Sequence, residues 1–140
     1  MSKVQAGGSR MKAEHRELLE RIRPARRVLV VDDHESFRRC ATALLASEGF
    51  EVVGEAADGA AALARTEELA PELVLLDVQL PDIDGFAVAQ RLLARHEGLK
   101  VVLVSSRDAS AYGSLIEASG AVGFLCKGDL SGAELERLLA

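Results

Sequence analysis

The chain has 140 residues, enough for one domain with a sizeable core, and 49% of them are apolar but only 4% aromatic. Residues 1–27 carry eight Lys/Arg and three Glu, a balance of +5, whereas residues 28–140 carry nine Lys/Arg and nineteen Asp/Glu, a balance of −10. No apolar run approaches the ~20 residues of a membrane span, and the charged N-terminus lacks a signal-peptide core. We therefore expect a cytoplasmic protein without membrane contact, whose acidic body does not bind nucleic acid directly.

The first 26 residues are interpreted as a basic N-terminal extension, followed by one domain over residues 27–140. Met1 to Arg10 is typical of a flexible leader. Residues 11–22 predict a short helix that Pro24 ends, because Met11, His15, Leu18 and Ile22 share one face. We interpret the extension as a solubilising linker or tail, and contact with an acidic partner or nucleic acid is the alternative.

From residue 27 onward, strand and helix patterns alternate five times. The apolar runs predict strands at 27–31, 50–54, 73–76, 100–104 and 121–126. Helical patterns follow each strand: one closed by Gly49, one at about 58–69, one capped by Asp84 and reaching about 95, a weak one near 108–118, and one capped by Ser131. Gly113 and Ser114 weaken the fourth helix.

The inward faces of these helices follow from their spacing. The side chains expected to face the core are Phe37, Cys40, Ala41, Leu44, Leu45, Leu63, Ala64, Phe86, Ala89, Leu93, Leu135, Leu138 and Leu139. Cys40 and Cys126 are interpreted as small buried apolar residues, since two cysteines at this spacing make neither a disulfide framework nor a zinc site.

Alternating strands and helices with short connections predict a parallel sheet joined by right-handed crossovers. The fold class is therefore α/β: a doubly wound, five-stranded parallel sheet of flavodoxin-like order 2-1-3-4-5, flanked by five helices. In such sheets, ligands bind at the carboxyl ends of the strands, near the point where the strand order reverses. That rule identifies the residues that carry the chemistry.

Polar side chains follow four of the five strands. Asp32 and Asp33 follow the first, Asp77 ends the third, Ser105 ends the fourth and Lys127 follows the fifth. Three crowded carboxylates repel one another, and a hard divalent cation such as Mg²⁺ relieves that repulsion. One carboxylate can then act as a nucleophile toward a phosphoryl group, with the lysine ammonium and the serine hydroxyl at its oxygens.

These residues stand in four segments that together resemble the receiver domain of bacterial two-component response regulators. The segments are Val28–His34 (VLVVDDH), Leu73–Gly85 (LVLLDVQLPDIDG), Val101–Ser106 (VVLVSS) and Gly123–Lys127 (GFLCK). The resemblance covers about residues 27–139. It implies that Asp77 accepts a phosphoryl group from a partner sensor histidine kinase in a Mg²⁺-dependent reaction, and that the chain catalyses only its own phosphorylation and dephosphorylation.

The resemblance also implies how the metal is held. Asp33 is expected to bind Mg²⁺ directly, Asp32 largely through water, and the backbone carbonyl of Gln79 to complete the protein ligands together with Asp77. Such a set of oxygen donors suits Mg²⁺, which keeps several waters when proteins bind it.

Further implications concern the switch. Ser105 and Lys127 are expected to engage the phosphoryl oxygens. Phe124 occupies the position of the aromatic switch residue, where many members have tyrosine, so no hydroxyl is expected there. The output surface comprises the fourth helix, the fifth strand and the fifth helix, and it is a possible homodimer interface.

The segment Gly123–Asp129 (GFLCKGD) looks more like the NarL/LuxR-type subgroup, whose members usually carry a DNA-binding domain after the receiver. Because the final helix stops on apolar Leu138 and Leu139, we expect a longer regulator of transcription, with a stand-alone receiver as the alternative. A receiver that is never phosphorylated and acts by contact alone is a second alternative.

Two other readings fit the residues poorly. A haloacid-dehalogenase-type phosphatase needs a second Asp two residues after the first, but His34 and Gln79 stand there. A flavin-binding flavodoxin needs a Ser/Thr/Gly phosphate cradle after the first strand, where this chain is acidic.

Overall fold

The computed structural model describes residues 25–140, and the helix expected at 11–22 lies outside the described residues. Five strands build one parallel sheet. Their bounds are β1 Arg27–Val31, β2 Glu51–Ala56, β3 Leu73–Asp77, β4 Lys100–Ser105 and β5 Gly123–Cys126. The strand positions expected from the apolar runs are confirmed, with shifts of one or two residues at the ends of β2, β3, β4 and β5.

Five α-helices connect or follow the strands. Their bounds are α1 Glu35–Ser47, α2 Gly59–Leu69, α3 Gly85–Arg95, α4 Leu115–Ala118 and α5 Gly132–Leu139. Asp84 and Ser131 accept hydrogen bonds from backbone N–H groups at the starts of α3 and α5, which confirms both predicted caps. The fourth helix has only four residues, preceded by a 3₁₀ turn at Ala109–Ala111, as its weak pattern indicated.

The strand order is β2-β1-β3-β4-β5, so the predicted doubly wound topology is confirmed. All four neighbouring pairs are parallel. The register of β1 against β2 shifts between Val28 and Leu29, and it is regular in the other three pairs. Because strand order reverses between β1 and β3, the carboxyl ends of these two strands border the crevice where such folds bind ligands.

A layer of apolar side chains covers each face of the sheet. On one face, α2 and α3 pack against the sheet through buried residues that include Ala62, Val88, Ala89 and Leu92. On the other face, α1 and α5 pack through Ala41, Leu45, Leu135 and Leu139. Strands β1, β3 and β4 contribute to both layers and are almost wholly buried, which accounts for their unbroken apolar sequences.

Three expectations about side-chain burial were wrong. Cys40 is exposed and Cys126 is only half-buried, so neither is the buried apolar residue expected. Ala64 is exposed, whereas Ala62 and Thr66 are the buried residues of α2. Cys40 lies at the flank of the buried stripe of α1. In an alanine-rich helix such as α2, the buried and exposed positions differ little in hydrophobicity, so the sequence pattern does not identify the inward face.

Arg26, just before the predicted boundary at residue 27, also contacts the domain, and the boundary itself stays a prediction. The Arg26 guanidinium forms an ion pair with Glu136 at 2.8 Å. Arg27 donates to the carbonyl oxygens of Ala70 and Leu69, at the end of α2. Within residues 25–140, no helix is long and apolar enough to cross a membrane.

Candidate functional site

The parallel registers bring the polar strand ends to one edge of the sheet. Asp77 pairs with Val104, one residue before Ser105, and Ser105 pairs with Cys126. Asp32 directly follows β1, and its backbone N–H donates to the carbonyl of Ala56 at the end of β2. The predicted convergence of these ends is therefore present in the structure.

The centre of this edge is an acidic cluster of Asp32, Asp33 and Asp77, joined by His34. One ligand atom from each of the four lies within 4.8 Å of all the others. Asp32 is fully buried and Asp77 is 2% exposed, whereas Asp33 and His34 face solvent. This combination of buried and accessible oxygen atoms fits a divalent cation that retains water on its outer side.

Asp32 is held by contacts on both carboxylate oxygens. Its Oδ1 accepts the backbone N–H of His34 at 2.8 Å, and the His34 ring nitrogen Nδ1 lies 3.2 Å away. Its Oδ2 lies 2.6 Å from Lys127 Nζ. The Arg38 guanidinium donates to the backbone carbonyl of Asp32 at 2.6 Å, which anchors this end of β1 to α1. Asp32 thus has a fixed orientation before any ligand arrives.

Asp77 is less completely paired. Its Oδ1 accepts the backbone N–H of Gln79 at 3.2 Å. Its buried Oδ2 receives no hydrogen bond from a described residue, and Lys127 Nζ lies 3.5 Å from it. Burial, followed by the nearby Asp32 carboxylate, raises the pKa of Asp77 to about 6, although Gln79 and Lys127 act in the opposite direction. A buried, underpaired carboxylate oxygen is suited to receive a cation or an electrophile.

Lys127 connects the two buried carboxylates. It follows β5 and opens a 3₁₀ turn at Lys127–Asp129, which directs its side chain back over the sheet edge. Its ammonium group lies 4.7 Å from the centroid of the Phe37 ring in α1, a cation–π contact that limits its movement.

Ser105 lies on the β4 side of the cluster and is 1% exposed. Its Oγ accepts the backbone N–H of Arg107 at 3.0 Å and shares a 2.5 Å hydrogen bond with the hydroxyl of Tyr112. The Tyr112 ring packs edge-on against Phe86 and is tilted against Phe124, at centroid distances of 5.4 and 5.9 Å. A hydroxyl is thus present beside Ser105, although it comes from Tyr112 and not from position 124.

The loop between β3 and α3 is fixed at both ends. The Asp82 carboxylate accepts the N–H groups of Gly59 and Ala60 at 2.7 and 2.9 Å, which lowers its pKa and ties the loop to the start of α2. The N–H of Gly85 donates to the carbonyl of Val78 at 2.8 Å. This loop therefore holds the backbone that carries Asp77 and Gln79.

Most of the residues singled out from the sequence meet at this edge: Asp32, Asp33, Asp77, Ser105 and Lys127 lie around it, and Phe124 lies beyond Tyr112. Gln79 is exposed next to Asp77, and the contribution expected from its backbone carbonyl stays a prediction. Sequence reasoning missed three participants: His34, Phe37 and Tyr112. The position of His34 directly after two aspartates was a usable signal, whereas Tyr112 lies in a connection whose path no periodic pattern predicts.

Comparisons with known proteins agree with this geometry. The family model described as "Response regulator receiver domain" matches residues 28–138. The response regulator GacA of Pseudomonas viridiflava is 40% identical over 103 residues, and the transcription regulator BvgA of Bordetella pertussis is 38% identical over 101 residues, covering 73% and 72% of this chain. The chain spans about half (48%) the length of each of these curated relatives.

Two solved structures extend the comparison to the fold. The signal receiver domain of the putative response regulator NarL from Mycobacterium tuberculosis is 36% identical, with a TM-score of 0.74, over 84% of this chain and 98% of that one. A LuxR-family response regulator from Aurantimonas is 27% identical, with a TM-score of 0.72, over 81% of each chain. The chain therefore belongs to the response-regulator receiver family of two-component systems, in its NarL/LuxR-type subgroup.

Proposed function

We propose that this domain accepts a phosphoryl group on Asp77 from the phosphohistidine of a sensor histidine kinase, in a Mg²⁺-dependent reaction. The observation that carries the proposal is the buried Oδ2 of Asp77, which has no hydrogen-bond donor among residues 25–140 and lies beside two further carboxylates and Lys127. Among the described residues, the buried side-chain oxygens without a hydrogen-bond partner are this one and Asp32 Oδ2, and because both belong to the same acidic cluster they point to a ligand that completes it.

The donor set fits Mg²⁺. Asp33 supplies an accessible carboxylate, Asp77 supplies a buried one, and Asp32 adds a third that we expect to act through water. The backbone carbonyl of Gln79 is proposed as the remaining protein ligand. When bound, the cation neutralises the charge of the carboxylates and of the phosphoryl oxygens as they approach each other.

The chemistry required of the protein is then positioning and charge neutralisation. A carboxylate oxygen of Asp77 forms the new P–O bond while the P–N bond of phosphohistidine breaks, and the imidazole keeps the bonding electron pair. Lys127, already between Asp32 and Asp77, moves its charge to the phosphoryl oxygens. Ser105 donates its hydroxyl to the same group. The domain thus promotes its own phosphorylation, and hydrolysis of the acyl phosphate resets it.

We further propose that phosphorylation shifts a two-state equilibrium that is read out at the surface of α4, β5 and α5. Phe124 begins this route, since it lies on β5 and packs against Tyr112. The matched residues of this chain cover about half (48%) of each curated relative, and BvgA is described as a transcription regulator. We therefore assign the output to transcription in the cytoplasm, with DNA contact made by a domain outside this chain.

Intact-mass spectrometry after incubation with acetyl phosphate tests the proposal. Wild type is expected to gain one phosphoryl group in Mg²⁺ and none in EDTA. Asp77→Asn should gain none, because the nucleophilic oxygen is lost. The matched control is Asp129→Asn, which removes an exposed carboxylate just after Lys127 and should behave as wild type.

Phosphorylation that persists in Asp77→Asn, or that is unaffected by EDTA, would contradict the assigned acceptor or the assigned metal. If wild type neither gains mass nor binds beryllofluoride, the alternative replaces this proposal: the domain is then a receiver that is never phosphorylated and acts by protein contact alone.

A further inference from the structure

The Ser105 hydroxyl has almost all of its hydrogen-bonding capacity in use. A serine hydroxyl offers one hydrogen and two lone pairs. The N–H of Arg107 occupies one lone pair at 3.0 Å, and the Tyr112 hydroxyl lies 2.5 Å away. The described residues offer Ser105 Oγ no other partner. The direction of the hydrogen bond with Tyr112 therefore decides what Ser105 can offer a phosphoryl group.

A phenol hydroxyl is a stronger acid than an alkyl hydroxyl, so the favoured arrangement has Tyr112 donating and Ser105 accepting. Both lone pairs of Ser105 are then filled, and its single hydrogen remains for another acceptor. Building on the function proposed above, we propose that Tyr112 is a positioning residue that presents the Ser105 hydroxyl as a hydrogen-bond donor to the phosphoryl group on Asp77.

Packing fixes Tyr112 in this role. The 3₁₀ turn before it is closed by hydrogen bonds from Ala111 to Asp108 and from Tyr112 to Ala109, both at 3.0 Å. The Tyr112 ring lies between the Phe86 and Phe124 rings. A side chain held by two aromatic neighbours loses little further freedom when its hydroxyl engages Ser105.

The arrangement also links the site to the output surface. Hydrogen bonds in a chain strengthen one another, so donation by Ser105 to a phosphoryl oxygen makes Ser105 a stronger acceptor for Tyr112. Tyr112 is in contact with Phe124 on β5 and lies three residues before α4. The connection between β4 and α4 is therefore tightened when the acyl phosphate forms, although position 124 lacks a hydroxyl.

A double-mutant cycle measured with beryllofluoride, a phosphoryl mimic, tests the proposal. The affinity of the Mg²⁺-saturated protein is measured by ¹⁹F NMR for wild type, Tyr112→Phe, Ser105→Ala and the double variant. Tyr112→Phe keeps the ring and removes the hydroxyl, and it should weaken binding roughly 3- to 10-fold, the range of one hydrogen bond. Because Tyr112 acts through Ser105, the double variant should match Ser105→Ala within about twofold.

Ser119→Ala is the matched control. It removes another buried hydroxyl from the connection between β4 and β5, one that donates to the Ile116 carbonyl away from the cluster, and it should leave the affinity unchanged. Thermal unfolding of each variant identifies any loss of fold.

Spectroscopy gives a readout that a purely structural role would not move. Tyr112 is the only tyrosine and the chain has no tryptophan, so the near-ultraviolet band reports this phenol. Beryllofluoride should shift the band to the red in wild type and leave it unshifted in Ser105→Ala, which keeps Tyr112 but breaks the link.

The outcomes separate the two proposals. Unchanged affinity in Tyr112→Phe overturns the role of Tyr112 alone, because the Tyr112 hydroxyl then does not influence how Ser105 binds the mimic. Tighter affinity also overturns it, because it means that Ser105 donates to Tyr112 and must be released before it can bind. The role of Tyr112 is also overturned if the losses of affinity in Tyr112→Phe and Ser105→Ala multiply in the double variant, because the two side chains then act independently. If wild type binds no beryllofluoride in Mg²⁺, the proposed function fails and this inference fails with it.

Discussion

Asp77 combines a buried position with a negative charge, and that combination has a measurable thermodynamic consequence. Its pKa of about 6 in the folded protein lies above the usual value of 3.8 for an unfolded chain. The folded state therefore binds the proton more tightly than the unfolded state does. The contribution of Asp77 to stability is complete below pH 4 and is lost as the pH rises through 6.

Asp77→Asn removes this titration and should stabilise the metal-free protein at neutral pH. We expect the variant to exceed wild type in free energy of unfolding by a margin that grows by about 2 kcal/mol between pH 4.5 and 7.5. Urea unfolding in EDTA, followed by circular dichroism, measures it. Mg²⁺ at pH 7.5 should shrink the margin, because a bound cation offsets the buried charge in wild type. A margin that is constant with pH would contradict the buried-charge explanation.

At the scale of elements, the turn before α3 determines where Asp77 sits. A Cβ at Gly85 would lie against the backbone carbonyl of Asp77 and within 2.7 and 2.9 Å of Val78 Cα and O. The N–H of Gly85 also holds the Val78 carbonyl at 2.8 Å. The requirement for glycine at position 85 thus comes from close approach of the helix start to the strand end, and not from an unusual φ angle.

Gly85→Ala should therefore affect stability and the site together. We expect a loss of about 2–3 kcal/mol in free energy of unfolding, as for other overpacked interiors, and weaker beryllofluoride binding because the backbone of Asp77 is displaced. Gly128→Ala is the control, since its Cβ would meet nothing within 4 Å, and it should stay within about 0.5 kcal/mol of wild type. Equal stability of the two variants in urea unfolding would refute the close-approach explanation.

The elements also show what the sequence was able to predict. Strands β1, β3 and β4 are buried on both faces, so their continuous apolar runs specified the sheet, and parallel topology then placed the strand ends together. The spacing of apolar residues did not predict the inward face where buried and exposed positions carry similar side chains, as at Ala64 in an alanine-rich helix. The spacing also did not predict the contact of Tyr112 with Ser105, because that contact depends on the path of an irregular connection. The hydrogen bonds of Asp82 with the start of α2 were not predicted for the same reason.

At the scale of the whole molecule, the large hydrophobic side chains that stay exposed lie in α4 and in the connection after it. Among the described residues, the large hydrophobic side chains left exposed are Leu115 on α4 and Val122 just before β5, at 51% and 40%. Leu115 lies on the surface of α4, β5 and α5 that the sequence indicated as a possible homodimer interface, and Val122 lies in the connection that leads into β5. Exposed apolar side chains favour association with a partner surface.

We therefore expect the phosphorylated form to dimerise through this surface. In sedimentation velocity, wild type with Mg²⁺ and beryllofluoride should shift toward a dimer as concentration rises, whereas Leu115→Glu should remain monomeric because a charge in the interface is left unpaired. Ala64→Glu is the control, since Ala64 is exposed on α2 beside β1 and β2, at the opposite edge of the sheet, and it should dimerise as wild type does. If Leu115→Glu dimerises and Ala64→Glu does not, the interface lies on the other edge, and Leu115 and Val122 serve a different partner.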